Sequence, residues 1–339
     1  MPNGITFTVG SGVADSAFGL IQGPIQMIIK QEAEAFQAQS MLDMLFRHVN
    51  STHSQEVYSA MTSMEGPRPV AENGAYPSTS FQETFRLTLQ NVTWKNQFSI
   101  SAEALEDDQN LDLQSQPAQF VEAHHRTREE FGAALYANAM LQKKSFNFGG
   151  MTFNCGAADG KALFAVDHPS IIKGKAAQCN MFANDFSNEA LIAMETKMQH
   201  FTDDNGKILH IRPDTILIPN DNVLKQKVLS AIGADKDPNT NNNGFNMNYG
   251  RWNVIGWTYL DEILAKTGVT PWVVLDSNRI KRGRCAIWQQ RKKMEIKSIL
   301  DEKTDANVWH DRSRFNAGFG DWRFAAIGGI EGGQELKLA

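Results

Sequence analysis

Between Gln31 and Asn50 the apolar residues Phe36, Met41, Leu42, Leu45, Phe46 and Val49 recur at helical spacing, and the pattern stops at the polar run 50–54. Residues 1–30 ahead of it are small and glycine-rich. Gly10, Gly12, Gly19, Gly23 and Pro24 punctuate any helix or strand, so this leader reads as either disordered or an arm that takes order from another surface. After the helix, "EGPRPVAENGAYPSTS" is dense in turn-forming residues and predicts neither helix nor sheet interior. Alternation then begins. Phe85, Leu87 and Leu89 share one face, with Arg86, Thr88 and Gln90 on the other, and the pattern resumes after Asn91 with Val92, Trp94, Phe98 and Ile100. The two runs predict an extended two-stranded arm, rooted in a short helix "AEALEDD" capped by Ser101. A two-stranded ribbon is marginal alone in water, so it needs a second surface, on its own chain or on a neighbour.

Pro117 opens the strongest helical pattern, running to about Leu141, because proline in a first turn gives up only an N–H that is unpaired anyway. Phe120, Thr127, Phe131, Leu135 and Ala139 mark one side, with Arg126, Arg128, Glu129 and Glu130 largely opposite. A rod of about 37 Å results at 1.5 Å per residue, a length suited to a spine between separate parts. Loop and strand follow from Phe146. From Asn188 the chain turns α/β: helix "NEALIAMETKMQHF", strand "TILIP", helix "DNVLKQKVLSAIG", a polar asparagine-rich loop, then strands "WNVIGWTYL" and "PWVVLDS". The tail, from "KMEIKSI" to "DWRFAAIGGI", is strand-rich. A helix, an arm, a rod and C-terminal strands thus surround a middle α/β insert.

Composition narrows the function classes. Thirty-eight acids against thirty-three bases leave a net charge of −5, which gives no general drive toward the phosphate backbone and suggests no dense basic face. Cys155, Cys179 and Cys285 are odd in number and widely spaced, which argues against a disulfide framework or a structural zinc site and for buried thiols in a reducing compartment. No secretory signal pattern and no apolar run of membrane-spanning length is visible, so a soluble chain made inside the cell is expected.

Candidate chemistry is thin. Asp167 beside His168 could bind a metal or orient a base, yet adjacent residues in a strand or turn point apart and no HExxH spacing is present. Of His124 and His125 on the long helix, one ring is expected to face inward and the other outward, a poor geometry for joint ligation. Asp107 and Asp108 read as solvated acids. Asn91-Val92-Thr93 matches a glycosylation sequon that has no secretory route to use it. "RIKRGR" (279–284) is the one basic cluster; a solvated strand edge or an acidic neighbouring subunit accounts for it better than nucleic acid does. No catalytic, cofactor-binding or metal residue is therefore assigned. A metal-dependent hydrolase built on Asp167, His168 and His124 is the rival from another class.

Taken in order, "EVYSAMTSMEGPRP", "FSISAEALEDD" leading into the long helix, "DGKALFAVDHPS" (159–170), "RPDTILIP" before a helix and an Asn-rich loop, and "RFNAGFGDWR" resemble tailed-bacteriophage major capsid proteins, in particular the Mu-type major head subunit group. "DGKALFAVDHPS" is similar to the family's Asp-Gly-x-x-x-Phe-x-x-x-His-Pro segment. The resemblance spans about residues 31–330. It implies an α+β, tailed-phage major capsid fold (HK97-like): residues 1–30 an N-terminal arm, 31–65 the first part of a peripheral domain, 66–100 an extended loop over an adjacent subunit, 101–154 peripheral domain with its spine helix, 155–290 an axial domain, and 291–339 strands returning to the peripheral domain. It further implies a structural, non-enzymatic subunit without cofactors, assembled in the host cytoplasm as pentamers and hexamers of a virion shell around double-stranded DNA. Its partners would be portal, scaffolding and decoration proteins, with no sequence-specific DNA contact and no membrane. An encapsulin-type compartment shell is the rival within the fold. Two departures stand out. The arm's sole lysine is Lys95, near its base, which speaks against covalent cross-linking, and residues 1–30 are too short for a helical scaffolding extension.

Overall fold

The computed structural model describes residues 5–9, 17–61, 66–78, 82–101, 103–104, 115–233 and 246–336. In chain order these form β1 (Thr6–Val9), α1 (Ala17–Gln39), α2 (Leu42–Leu45), β2 (Arg47–Asn50), β3 (Gln55–Met61), β4 (Glu83–Gln90), β5 (Val92–Ile100), α3 (Ser115–Met140), β6 (Ser145–Phe148) and β7 (Met151–Asn154). There follow α4 (Asn188–Gln199), β8 (Thr215–Pro219), α5 (Asn222–Gly233), β9 (Asn253–Trp257), α6 (Asp261–Leu264), β10 (Trp272–Leu275), α7 (Ser277–Arg282), β11 (Ala286–Asp301), β12 (Ala306–Phe319) and β13 (Ala325–Gly328).

Two sheets organise the chain. In the larger, the strand order is β1-β11-β12-β5, and β2 also pairs with β11. In the smaller, the order is β13-β10-β8-β9, flanked by α4 and α5. β8 is buried along its whole length, as a strand in the interior of an α/β layer must be, and it reads as an unbroken apolar run. The tail crosses between the sheets: after β12 the chain enters the smaller sheet, where Ala325 pairs with Leu275 and Gly328 with Trp272.

The spine helix α3 joins them. Its last ten residues, 131–140, are buried on every side. Phe131 sits among aromatic rings, with centroids 4.8 Å from Phe153, 5.4 Å from Trp94 and 6.0 Å from Trp288. Tyr136 meets Phe46 and Phe319 edge-on and donates its hydroxyl to the Leu45 carbonyl at 2.9 Å. Gly132 lets α2 approach: a Cβ there would lie 2.4 Å from Leu42 Cδ2. A second core, with Ile29, Ala33, Phe120, Val121, Ile296 and Trp309, binds α1 and the start of α3 to the far end of the large sheet.

Four local expectations change. The first helix starts at Ala17 and runs through Gly19, Gly23 and Pro24, since burial of Ile29 and Ala33 against α3 outweighs poor propensity. It ends at Gln39, where Ser40 Oγ accepts from Leu42 N and donates to Glu129, so Val49 lies on a strand and not on a helix. β4 and β5 do not pair with each other: β4 pairs with β3, and β5 with β12. Arg128 is buried, its guanidinium 5.3 Å from the Trp288 ring centroid and 5.6 Å from that of Phe315, so it is not on a solvent face.

Candidate functional site

The feature with the least intramolecular explanation is the β3–β4 hairpin and the segment that joins its strands. The hairpin's base is fastened to the large sheet. Leu87 and Leu89 pack on Ile287 with Val49 and Tyr58, the Tyr58 hydroxyl donates to Gln289 Oε1 at 3.0 Å, and Gln289 Nε2 donates to the Leu89 carbonyl at 3.2 Å. Glu56 fixes the turn below. Its Oε1 accepts from Ser51 Oγ and from the Thr52 and His53 amides, and these bonds, the Ser51 hydroxyl foremost, hold its carboxyl down at about 2. Asn91 is buried and donates to Ser51 Oγ and the His53 carbonyl, so its amide is engaged inside the fold.

Beyond that base the described residues are open to solvent. Every residue of 66–78 is exposed and outside regular structure; Val70 is 56% and Tyr76 100% accessible. An aromatic ring with no contact on its own molecule gains nothing from folding, and a strap of this kind becomes ordered when something else lies against it.

The residues singled out for chemistry are placed as follows. Asp167 and His168 point apart. Asp167 pairs with Lys161 at 2.6 Å on the surface, and the lysine holds its carboxyl below the ordinary range. His168 is buried, stacked 4.1 Å from the Trp322 ring, and its carboxylate partner is Asp159, nine residues earlier. His124 bonds Asp311 at 2.7 Å inside the second core, in a different part of the fold from His168. His125 is half-buried and stacks on Phe36, so neither ring of the pair faces open solvent; burial, with His124 and Arg128 nearby, pushes its ring down to about 3. Asp107 and Asp108 lie outside the described residues. Among those described, no group of three or more His, Cys, Asp or Glu side chains is placed to hold a metal ion.

"RIKRGR" is not a strand edge: its residues lie on α7 and the turn after it, and Arg279 is committed to Asp321 at 2.7 Å. The three cysteines are free and buried, and burial raises each thiol, Cys155 to about 12. The expectation of no dense basic face fails on the large sheet. There Lys95 stands opposite Arg312, Lys292 opposite Arg314 and Lys297 opposite His310, with Glu295 alone bridging Lys292 and Arg312. Residues from β11, β12 and the sequence-distant β5 make this face, so overall charge could not reveal it. Among the described residues, no helix is long and apolar enough to cross a membrane.

Comparisons with known proteins agree on one family. No curated protein matches the sequence. Among solved structures, the chain is similar to one from Mycobacterium phage Patience, at 12% identity and a TM-score of 0.50 over 99% of this chain and 95% of that one. It is also similar to the asymmetric unit of the bacteriophage PhiM1 mature capsid, at 7% identity and a TM-score of 0.50 over 86% and 87% of the two chains. These likenesses concern the fold, which is the α+β, HK97-like fold of tailed-phage major capsid proteins. The family model described as "Phage capsid protein" matches residues 86–328, from within β4 to the end of β13, and with well over half its length so matched the chain belongs to the phage capsid protein family.

Proposed function

We propose that this chain is the major head subunit of a tailed phage, of the Mu-type group, and that it assembles as pentamers and hexamers into an icosahedral shell around double-stranded DNA. The observation that carries this reading is the fully exposed strap 66–78 on a hairpin whose base alone is anchored. A segment exposed at every residue in an otherwise well-packed chain is covered by a sister molecule. On this reading residues 66–78 are the projecting part of the extended loop 66–100, and β4 and β5 are its roots in the body. Residues 1–30 form the N-terminal arm; 31–65 and 101–154 the peripheral domain with α3 as spine; 155–290 most of the axial domain; and 291–339 the returning strands, whose last member joins the axial sheet.

The role is structural and non-enzymatic, and the subunit works in the virion after assembly in the host cytoplasm. Portal, scaffolding and decoration proteins are its other partners, and DNA is enclosed without base-specific contact. The strap holds no lysine, and Lys95 lies in β5, so neighbours are held by non-covalent contacts. Each such interface is of ordinary size, roughly 800 Å² per partner, and becomes robust because every subunit makes several at once. Electron microscopy of the purified chain tests the reading. Closed particles of uniform diameter are expected; a monodisperse monomer at high concentration, with or without a scaffolding protein, contradicts it.

A further inference from the structure

A cavity of about 630 Å³ opens where the hairpin, the α7 turn and the α/β body meet, lined among others by Tyr58 and Phe85 from the hairpin and by Arg212, Arg282 and Arg284. Most of its carboxylates are already engaged. Asp321 is held by Arg279 and Arg323, Asp204 by Arg323, and Asp159 by His168. Asp276 caps α7 and accepts from the Arg212 amide. The three lining guanidiniums of Arg212, Arg282 and Arg284 are exposed, and none has a carboxylate within ion-pair distance among the described residues. Arg47, outside the lining, braces the turn by donating to the Arg282 and Gly283 carbonyls at 3.1 and 3.0 Å. One buried acceptor is idle: Asp203 Oδ2 has no hydrogen-bond partner. Such a site calls for an anionic chain that also brings backbone N–H groups and some apolar surface.

The sequence contains one. From 96 to 121 there is no lysine or arginine, while Glu103, Glu106, Asp107, Asp108 and Asp112 alternate with leucines. This segment cannot serve its own cavity. It leaves β5 at Ile100, which pairs with Asn307, and it re-enters α3 close to Phe120, which packs on Phe98. The cavity lies at the opposite end of β12, beyond Phe319, next to Gly320 and Cys285. Those ends are separated by about 40 Å at 3.3 Å per residue. The stretch between Ser101 and Ser115 spans about 50 Å at most when fully extended, too little to go there and return.

We infer that the arginine-lined cavity is a socket for the acidic segment 103–112 of a second copy of this chain. The residues that flank the donor, Ile100 and Phe120, lie at the opposite end of β12 from the socket, so the contact is heterologous and propagates head to tail, closing into rings where the rotation allows. A duplex is too broad for a cavity of this size, whereas a peptide of a few residues fits it. The inference rests on the shell reading for its purpose but is tested separately.

Three full-length variants decide it: Arg282→Glu/Arg284→Glu, Asp107→Lys/Asp108→Lys, and the two combined. Each double variant is expected to keep the wild-type melting temperature and to raise the concentration needed for assembly on the order of a hundred-fold, while the combined chain, with its charges exchanged, regains assembly. Unchanged assembly of either double variant, or no recovery in the combined one, overturns the socket. Particles that form normally but lose bound duplex DNA would assign the cavity to nucleic acid instead. An Asp107→Cys/Arg282→Cys chain at high concentration reads the contact even if no shells form: disulfide-linked multimers support it, and a monomer with an internal bridge or no bridge contradicts it.

Discussion

His168 Nδ1 lies 2.6 Å from Asp159 Oδ2, with both side chains almost wholly buried. The other ring nitrogen, Nε2, is 3.0 Å from Asn180 Oδ1. Asn180 cannot be turned round, because its Nδ2 donates to the Leu163 and Ala325 carbonyls and its Oδ1 accepts from Ala165 N. Both ring nitrogens therefore have a hydrogen-bond partner, and the imidazole is held from two sides. The ends of "DGKALFAVDHPS" thus close on each other, with Trp322 as a lid over the ring. The motif is a clasp that ties the loop after β7 to the start of β13. Its chemistry is architectural.

Breaking one side of that clasp leaves its buried partner without a hydrogen bond. Asp159→Ala or His168→Ala is expected to cost about 1–3 kcal/mol in urea denaturation. A double Asp159→Asn/His168→Gln variant, which can rebuild a hydrogen bond between the two positions, should recover part of the loss. A change under about 0.5 kcal/mol for the single variants would show that the pair does not fasten the loop.

His125 predicts an acid-sensitive limb. Its pKa in the folded chain is about 3, lowered chiefly by burial. The folded state prefers the neutral ring, so this stability is present above the unfolded pKa near 6.5 and is lost as pH falls toward the folded value. At pH 5 the loss is about 2 kcal/mol. His125→Phe, which keeps the stacking on Phe36, should flatten the stability curve of the unassembled chain between pH 7 and pH 5. An equally steep curve in the variant would place the acid sensitivity elsewhere.

Gly132→Ala separates helix propensity from packing. In an open helix the change stabilises by up to about 1 kcal/mol. Here the new methyl meets Leu42 Cδ2, itself buried, and also nears Phe46 and Trp257. Thermal unfolding should therefore show a net loss of about 1–3 kcal/mol, and a gain would mean that α2 can move off the spine.

What the sequence could and could not show follows from the range of each signal. Turn chemistry at Gly66–Gly74 and the period of the spine helix are local, and both are legible in the residues themselves. The pairing of β4 with β5 was a misreading with a simple cause: Asn91 alone separates them, and a hairpin needs at least two residues to reverse. The chain instead passes from one sheet to the next, and Asn91 is buried at the junction. Asp159 as the partner of His168 was hidden because the adjacent Asp167 offered a nearer candidate. The basic face around Lys95 and Arg312 was invisible because β5 lies some two hundred residues before the β11 and β12 strands it joins.

The claim beneath all of this is that the strap finds its contacts on another copy. Replacing residues 66–78 by a short Gly-Ser turn removes only exposed residues, so the unassembled subunit should keep its melting temperature. Negative-stain images of that variant, prepared beside wild type, are the most direct test. Wild type should give closed shells and the variant only open fragments or free subunits. Closed shells of normal size from the variant would contradict the account.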